Sequence, residues 1–188
     1  LFSRVLEYLD LPVDIDDPAH PVPLDPARVR GEVRFEHVGF RYPGGHRDAL
    51  DDVDLAVPAG ATLALVGETG SGKSTLASLV ARLNDPTTGR VTVDGIDVRD
   101  VTLADLARTV GVVSQETYLL HGTVRENLRH ARPDATDEEM VAAARRAQVH
   151  DLITALPDGY DTVVGARGYR FSGGEKQRLA IARTLLRD

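Results

Sequence analysis

Two short stretches of this chain carry residue types that could do chemistry, and each holds one of its two lysines. The first is Gly67-Glu68-Thr69-Gly70-Ser71-Gly72-Lys73-Ser74, which fits the P-loop pattern G-x-x-x-x-G-K-[ST]. A polyphosphate needs many hydrogen-bond donors at close range. Glycines let the backbone wrap an anion, because a Cβ would block the approach or forbid the required φ. A following helix would aim free N–H groups and its positive end at the charge. In this pattern Lys73 reaches the β- and γ-phosphates and the Ser74 hydroxyl ligates Mg²⁺. Glu68 occupies a free position, so its carboxylate is expected to point outward.

The second stretch, Ser172-Gly173-Gly174-Glu175-Lys176-Gln177-Arg178, lies roughly a hundred residues later. Ser-x-x-Glu is also a capping box at a helix start, which explains it by local structure alone. Two adjacent glycines tilt the reading, since each costs a helix about 1 kcal/mol relative to alanine. A helix start with bare backbone is suited to approaching an anion.

The elements that must position these residues can be read from apolar spacing. Val33 and Phe35 alternate as in a strand, and Val38 and Phe40 continue in shifted phase, which predicts a bulge. Val53, Leu55 and Val57 form a second alternating run, ended by Pro58-Ala59-Gly60. Thr62–Val66 is short, apolar and runs into the P-loop glycines, so it reads as a buried strand. Residues 75–83 suit a helix with Leu76, Leu79, Val80 and Leu83 on one face. Val91–Val98 reads as a hairpin about Asp94-Gly95. Val110–Ser114 reads as another buried strand, with Gln115 at its end. Residues 116–160 read as mostly helical, with capping-box spacing at Thr123/Glu126 and Thr136/Glu139. Residues 173–187 are again helical.

Residues 1–10 carry an apolar stripe of Phe2, Val5, Leu6 and Leu9 at helical spacing. Pro12, Pro18, Pro21, Pro23 and Pro26 follow and read as an extended linker. The chain begins at Leu1 without a Met, and is expected to be a piece of something longer.

Composition bounds the function. A length of 188 residues suits one domain, and 42% apolar residues fit an ordinary globular chain. The absence of cysteine excludes disulfides and Cys-ligated metal. A net charge of -7, with scattered arginines, argues against nucleic-acid binding. No apolar run reaches the ~18–20 residues of a membrane span, and no signal peptide is visible.

Together the two stretches make the chain resemble the ATP-binding cassette family, with Phe171–Arg178 similar to its signature motif. The resemblance covers residue 30 to the end, and residues 1–29 are similar to the linker from the last membrane helix of a fused exporter. It implies an α/β P-loop NTPase core of RecA-like type with an antiparallel β subdomain and an inserted α-helical subdomain, incomplete at the C-terminus. Residues 30–115 would be core and β subdomain, 116–170 the helical subdomain, and 171–188 the signature and its helix. In the family two cassettes pack head to tail. Ser172, Gly173, Gly174 and Glu175 would then contact ATP held by a partner's P-loop.

Carried over in the same way, Tyr42 would stack on adenine. It would join Gly67, Thr69, Gly70, Ser71, Gly72, Lys73, Ser74 and Thr75 as the nucleotide-binding set. Gln115 matches the Q-loop glutamine, which touches Mg²⁺ or water; with Lys73 it would serve catalysis, and with Ser74 the metal. Leu119–Leu128 and Val164–Gly168 resemble exporter segments on either side of the helical subdomain. ATP and Mg²⁺ are the implied cofactors. A second cassette and a transmembrane domain are the implied partners, at the cytoplasmic face of the cell membrane, with no nucleic acid.

The departures are specific. Phe171 replaces Leu, Glu175 replaces Gln, and Ala166 stands where exporters commonly have Glu, which bears on coupling and not on nucleotide binding. The apolar strand with the Walker B aspartate, the catalytic glutamate and the switch histidine would follow Asp188. All six histidines precede the signature. The expectation is a truncated or partial sequence, negligible turnover, and an unpaired place in the middle of the parallel sheet. A non-catalytic regulatory cassette is an alternative reading. A DNA-repair or chromosome ATPase would need a long coiled coil between the motifs, and a generic P-loop kinase would leave Ser172–Glu175 unexplained.

Overall fold

The computed structural model describes residues 14–165 and 170–187. The expected helix over 1–10 and the loop residues Ala166, Arg167 and Gly168 lie outside these. The chain divides into two compact units, Leu1–Val110 and Gly111–Asp188.

In the first unit, β1 (Val33–Phe40), β2 (Leu50–Val57), β3 (Thr88–Val93) and β4 (Ile96–Asp97) form an antiparallel sheet in the order β2-β1-β3-β4. The phase shift in β1 is a bulge, as expected. Its register against β2 slips between Phe35 and Val38, so Phe35, Val38 and Phe40 all face the core. His37 takes up the extra residue with φ 49. Gly89 of β3 crosses this bulge. A Cβ there would lie 2.2 Å from the His37 carbonyl oxygen and 2.3 Å from that of Glu36, and its φ is +72. Asp94-Gly95 makes the hairpin turn with φ 49 and 82. The second arm is shorter than expected and passes into a 3-10 turn at Val98–Asp100.

Helix α1 (Lys73–Val80) buries Leu76 and Leu79 on the sheet with Phe35, Val38, Leu50 and Val91. It is shorter than the spacing predicted, and Leu83 is exposed beyond it. Helix α2 (Leu103–Thr109) buries Leu106 and is capped by the Thr102 hydroxyl. The proline-rich residues before β1 lie along this unit. The Val22 amide donates to Asp100, Leu24 is buried, and the Arg30 and Glu32 amides donate to the Asp94 carboxylate.

Two expected buried strands are not formed. Residues 62–66 and 110–114 have no strand partner among the described residues. Leu63, Leu65 and Val66 are exposed, Val66 at 93%, as are Val112 and Val113. Burial of a parallel strand is supplied by neighbours on both edges and both faces. Their apolar composition records that demand, and the described residues do not meet it.

In the second unit, β5 (Gly122–Thr123) pairs with β6 (Val163–Val164). Helices α3 (Val124–Arg129), α4 (Asp137–Arg146), α5 (His150–Thr154) and α6 (Gly173–Arg187) enclose Val124, Leu128, Met140, Ala144, Ile153 and Leu179. Both predicted capping boxes are present, Thr123 with Glu126 and Thr136 with Glu139. Buried Asn127 accepts from the Leu120 amide and donates to the Leu120 and Thr123 carbonyls, which fixes the segment leading into α3. Arg183 of α6 donates to the Asn127 carbonyl at 3.0 Å. Among the described residues no helix is long and apolar enough to cross a membrane.

The bulge has an electrostatic consequence. His37 Nδ1 lies 2.9 Å from Asp52 and 3.2 Å from Asp54. The hydrogen bond to Asp52 and the two carboxylate charges raise the His37 pKa above its ordinary value. A raised histidine pKa adds stability that is fully present below the unfolded value of about 6.5. That stability is lost as pH rises through the folded value. An NMR titration of the His37 ring is expected to show a midpoint above that value, and Asp52→Asn is expected to lower it. Equal midpoints in the two proteins would refute the pairing.

Candidate nucleotide-binding site

The sequence following β2 turns at Gly60 and leads into the glycine-rich loop ahead of α1. Gly72 stands at the N-cap of this helix with φ 86. A side chain there is excluded twice over. It would be strained at that φ, and its Cβ would sit 2.6 Å from the Ala49 carbonyl oxygen. Gly70 is also left-handed, at φ 87. No side chain caps the helix start, and its first turn holds no acidic residue. The leading N–H groups of α1 are thus not spent on a side-chain cap, and the helix dipole favours an anion beside them.

The Lys73 ammonium folds back over the loop. It donates to the carbonyls of Gly67 at 2.8 Å and Glu68 at 2.6 Å, with the Ser71 hydroxyl at 3.3 Å. One cation is therefore centred on the curve of the loop. Ser74 and Glu68 are exposed, the latter as expected. A cavity of about 270 Å³ is lined by Gly67, Ser71, Gly72 and Lys73 on its polar side and by Leu50, Val53, Leu65, Val66 and Leu76 on the other.

Tyr42 is brought to this helix from the loop after β1. Its ring stands edge-on to Phe40 at 4.8 Å, and its hydroxyl is 2.9 Å from the Thr75 hydroxyl. Arg41 grips Asp48 through two parallel bonds and anchors the loop. Tyr42 remains half exposed. The Tyr42–Thr75 bond has no sequence signal, because its partners are 33 residues apart.

The other predicted site residues belong to the second unit. Gln115 is exposed. Ser172 caps α6: its amide donates to the Glu175 carboxylate at 2.7 Å, and its hydroxyl accepts from the Glu175 amide at 3.4 Å. This backbone hydrogen bond holds the Glu175 carboxyl below the usual carboxylate range. Gly173 and Gly174 are exposed, and neither has a positive φ. A Cβ on either would meet nothing within 4 Å. Nothing within the described chain requires glycine at these two positions. A larger cavity of about 360 Å³, lined by Arg145, Gln148, His150 and Asp151, contains none of the predicted site residues.

A family model described as ABC transporter matches residues 50–188. The chain belongs to the ABC transporter family. It is a nucleotide-binding domain of the exporter type within that family. It is 44% identical over 186 residues to the ATP-dependent lipid A-core flippase of Chromohalobacter salexigens, covering 99% of this chain and 31% of the flippase. It is 49% identical over 168 residues to the beta-(1-->2)glucan export ATP-binding/permease protein NdvA of Rhodopseudomonas palustris, covering 89% of this chain and 28% of that protein. The solved structure of a bacterial Atm1-family ABC exporter with ATP bound superposes with a TM-score of 0.90 at 39% identity, over 100% of this chain and 32% of that one. The ABC chain thus spans about a third of the length of these relatives. The RecA-like class, with its antiparallel sheet and helical subdomain, is the architecture these matches support.

Proposed function

We propose that the chain binds MgATP at Gly67–Thr75 and offers Ser172–Glu175 to the γ-phosphate of ATP bound by a second cassette. In the longer protein, this pairing would drive ATP hydrolysis and export through a membrane domain at the cytoplasmic face of the membrane. Gly173-Gly174 carries the reading. Glycine is a poor helix former, and no internal contact or backbone angle accounts for the pair at this helix start. Bare backbone at an exposed helix start is accounted for by an anion approaching from outside. The ATP-bound Atm1-family exporter structure, similar over the whole chain, supports the same nucleotide.

Each residue has a physical task. Lys73 would exchange its loop carbonyls for phosphate oxygens, a charge-assisted contact roughly twice as strong as a neutral one. The uncapped N–H groups of α1 would bind the β-phosphate. Ser74, exposed in the first helical turn, offers the kind of hard oxygen that Mg²⁺ takes. Gln115 would supply a further ligand or hold water. When bound, Mg²⁺ neutralises phosphate charge. Tyr42 would stack on the base, with its hydroxyl fixed by Thr75. In-line attack on the γ-phosphate also needs a group that polarises water. None of the residues given a task above is such a group, so this chain by itself is expected to bind nucleotide with negligible turnover.

Sedimentation velocity with and without MgATP tests the trans arrangement. The wild-type chain is expected to shift from monomer to dimer with nucleotide. Ser172→Glu is expected to keep nucleotide binding and lose the dimer, since it sets a carboxylate against a phosphate. A Ser172→Glu chain that dimerises with nucleotide as wild type does would overturn this role for the signature.

A further inference from the structure

Arg82 occupies a position that a glycine would fill at lower cost. It is the residue just beyond the C-cap of α1, with φ 49. Its amide donates to the Leu79 carbonyl and that of Leu83 to Ser78. This double bond pattern closes a helix over a left-handed residue, where glycine is the usual choice. An arginine there is strained, so the gain must come from its side chain.

That side chain is only 6% exposed and spans three segments. Its Nε donates to Asp85 at 2.9 Å, its Nη1 faces the Val101 carbonyl at 3.4 Å, and its Nη2 donates to the Asp16 carbonyl at 3.0 Å. Asp16 belongs to the proline-rich segment before β1, an N-terminal strap whose next residue, Asp17, accepts from the Leu103 amide at 2.7 Å and so holds the start of α2. The N-terminal strap is thus fastened to the far end of the helix that begins at the P-loop. Helix α1 has eight residues, about 12 Å of rigid rod. Its start is wedged against Ala49 and Leu50 at Gly72. A tilt of this rod at Arg82 would redirect the N–H groups at Lys73 and Ser74.

We propose that Arg82 is a positioning residue that couples docking of the strap at Asp16–Asp17 to phosphate binding at the opposite end of α1. The inference rests on the nucleotide-binding reading above. Coupling between two binding events is reciprocal. Docking of the strap strengthens nucleotide binding, and nucleotide tightens the strap by the same factor. Through this path, a pull on the strap from its N-terminal side lowers nucleotide affinity.

Hydrogen exchange at the Leu103 and Val22 amides reads the strap, and a fluorescent ATP analogue reads the site. In the wild-type chain, MgATP is expected to slow exchange at both amides by about fivefold. Arg82→Lys keeps the charge but cannot form the fork to Asp85 and Asp16. It is expected to speed exchange at these amides and weaken nucleotide binding by that same factor. Asp17→Ala frees the strap without touching α1, and is expected to do likewise even if Arg82→Lys fails to fold. A variant that frees the strap while its nucleotide affinity stays at the wild-type value overturns the coupling and leaves the nucleotide reading intact. A wild-type chain that binds no nucleotide overturns both.

Discussion

Gly72→Ala is expected to weaken MgATP binding by at least about 100-fold. The new Cβ would lie 2.6 Å from the Ala49 carbonyl oxygen and 2.9 Å from Leu50 Cδ2. The Leu50 methyl can rotate away. The Ala49 carbonyl belongs to backbone held by the bond from its own amide to Phe40. The loop must therefore move, and the start of α1 moves with it. A φ of 86 adds strain of roughly 1–2 kcal/mol for any residue with a Cβ. Hydrogen bonds to charged groups contribute about 1.5–3 kcal/mol each, so losing two of them accounts for the expected loss. Isothermal titration of wild-type and Gly72→Ala chains checks it. Equal affinities would mean that phosphates do not sit on this loop.

Gly89→Ala is expected to destabilise the first unit by more than about 4 kcal/mol. The Cβ would approach the backbone carbonyl oxygens of His37 and Glu36 and the His37 carbonyl carbon, all within 2.5 Å. These atoms form the β1 bulge that sends Val38 and Phe40 into the core, so they cannot retreat without unpacking it. Gly44 is the natural control. Its φ of 74 nearly equals the 72 of Gly89, but a Cβ there meets nothing within 4 Å. Gly44→Ala should therefore cost only the left-handed strain, roughly 1–2 kcal/mol. Urea unfolding separates the two cases. A Gly89→Ala loss no larger than that of Gly44→Ala would show that the bulge yields.

What the sequence disclosed depended on how local the physics was. The bulge could be read because Phe35, Val38 and Phe40 break alternation within six residues. The caps at Thr123, Thr136 and Ser172 could be read because donor and acceptor lie three residues apart. The Asp94-Gly95 turn is equally local. The strands over 62–66 and 110–114 were expected from apolar composition, but pairing belongs to neighbours and not to the segment, and neither is paired among the described residues. The demand for glycine at position 89 comes from residues about fifty positions away, and Arg82 meets Asp16 across 66. Of the site, the P-loop and signature were legible as patterns. Their supporting contacts, Tyr42 with Thr75 and Lys73 with its own loop, became visible only in the fold. So did the open surroundings of Gly173 and Gly174, where a Cβ would meet nothing within 4 Å.

If Gly67–Thr75 of this ABC chain holds the phosphates of ATP, calorimetric titration of the wild-type chain with MgATP should show saturable binding of one nucleotide per chain. MgADP should compete and AMP should not, because its single phosphate cannot span Lys73 and the helix start. No binding, or binding that AMP displaces as well as ADP does, would contradict that placement of the phosphates.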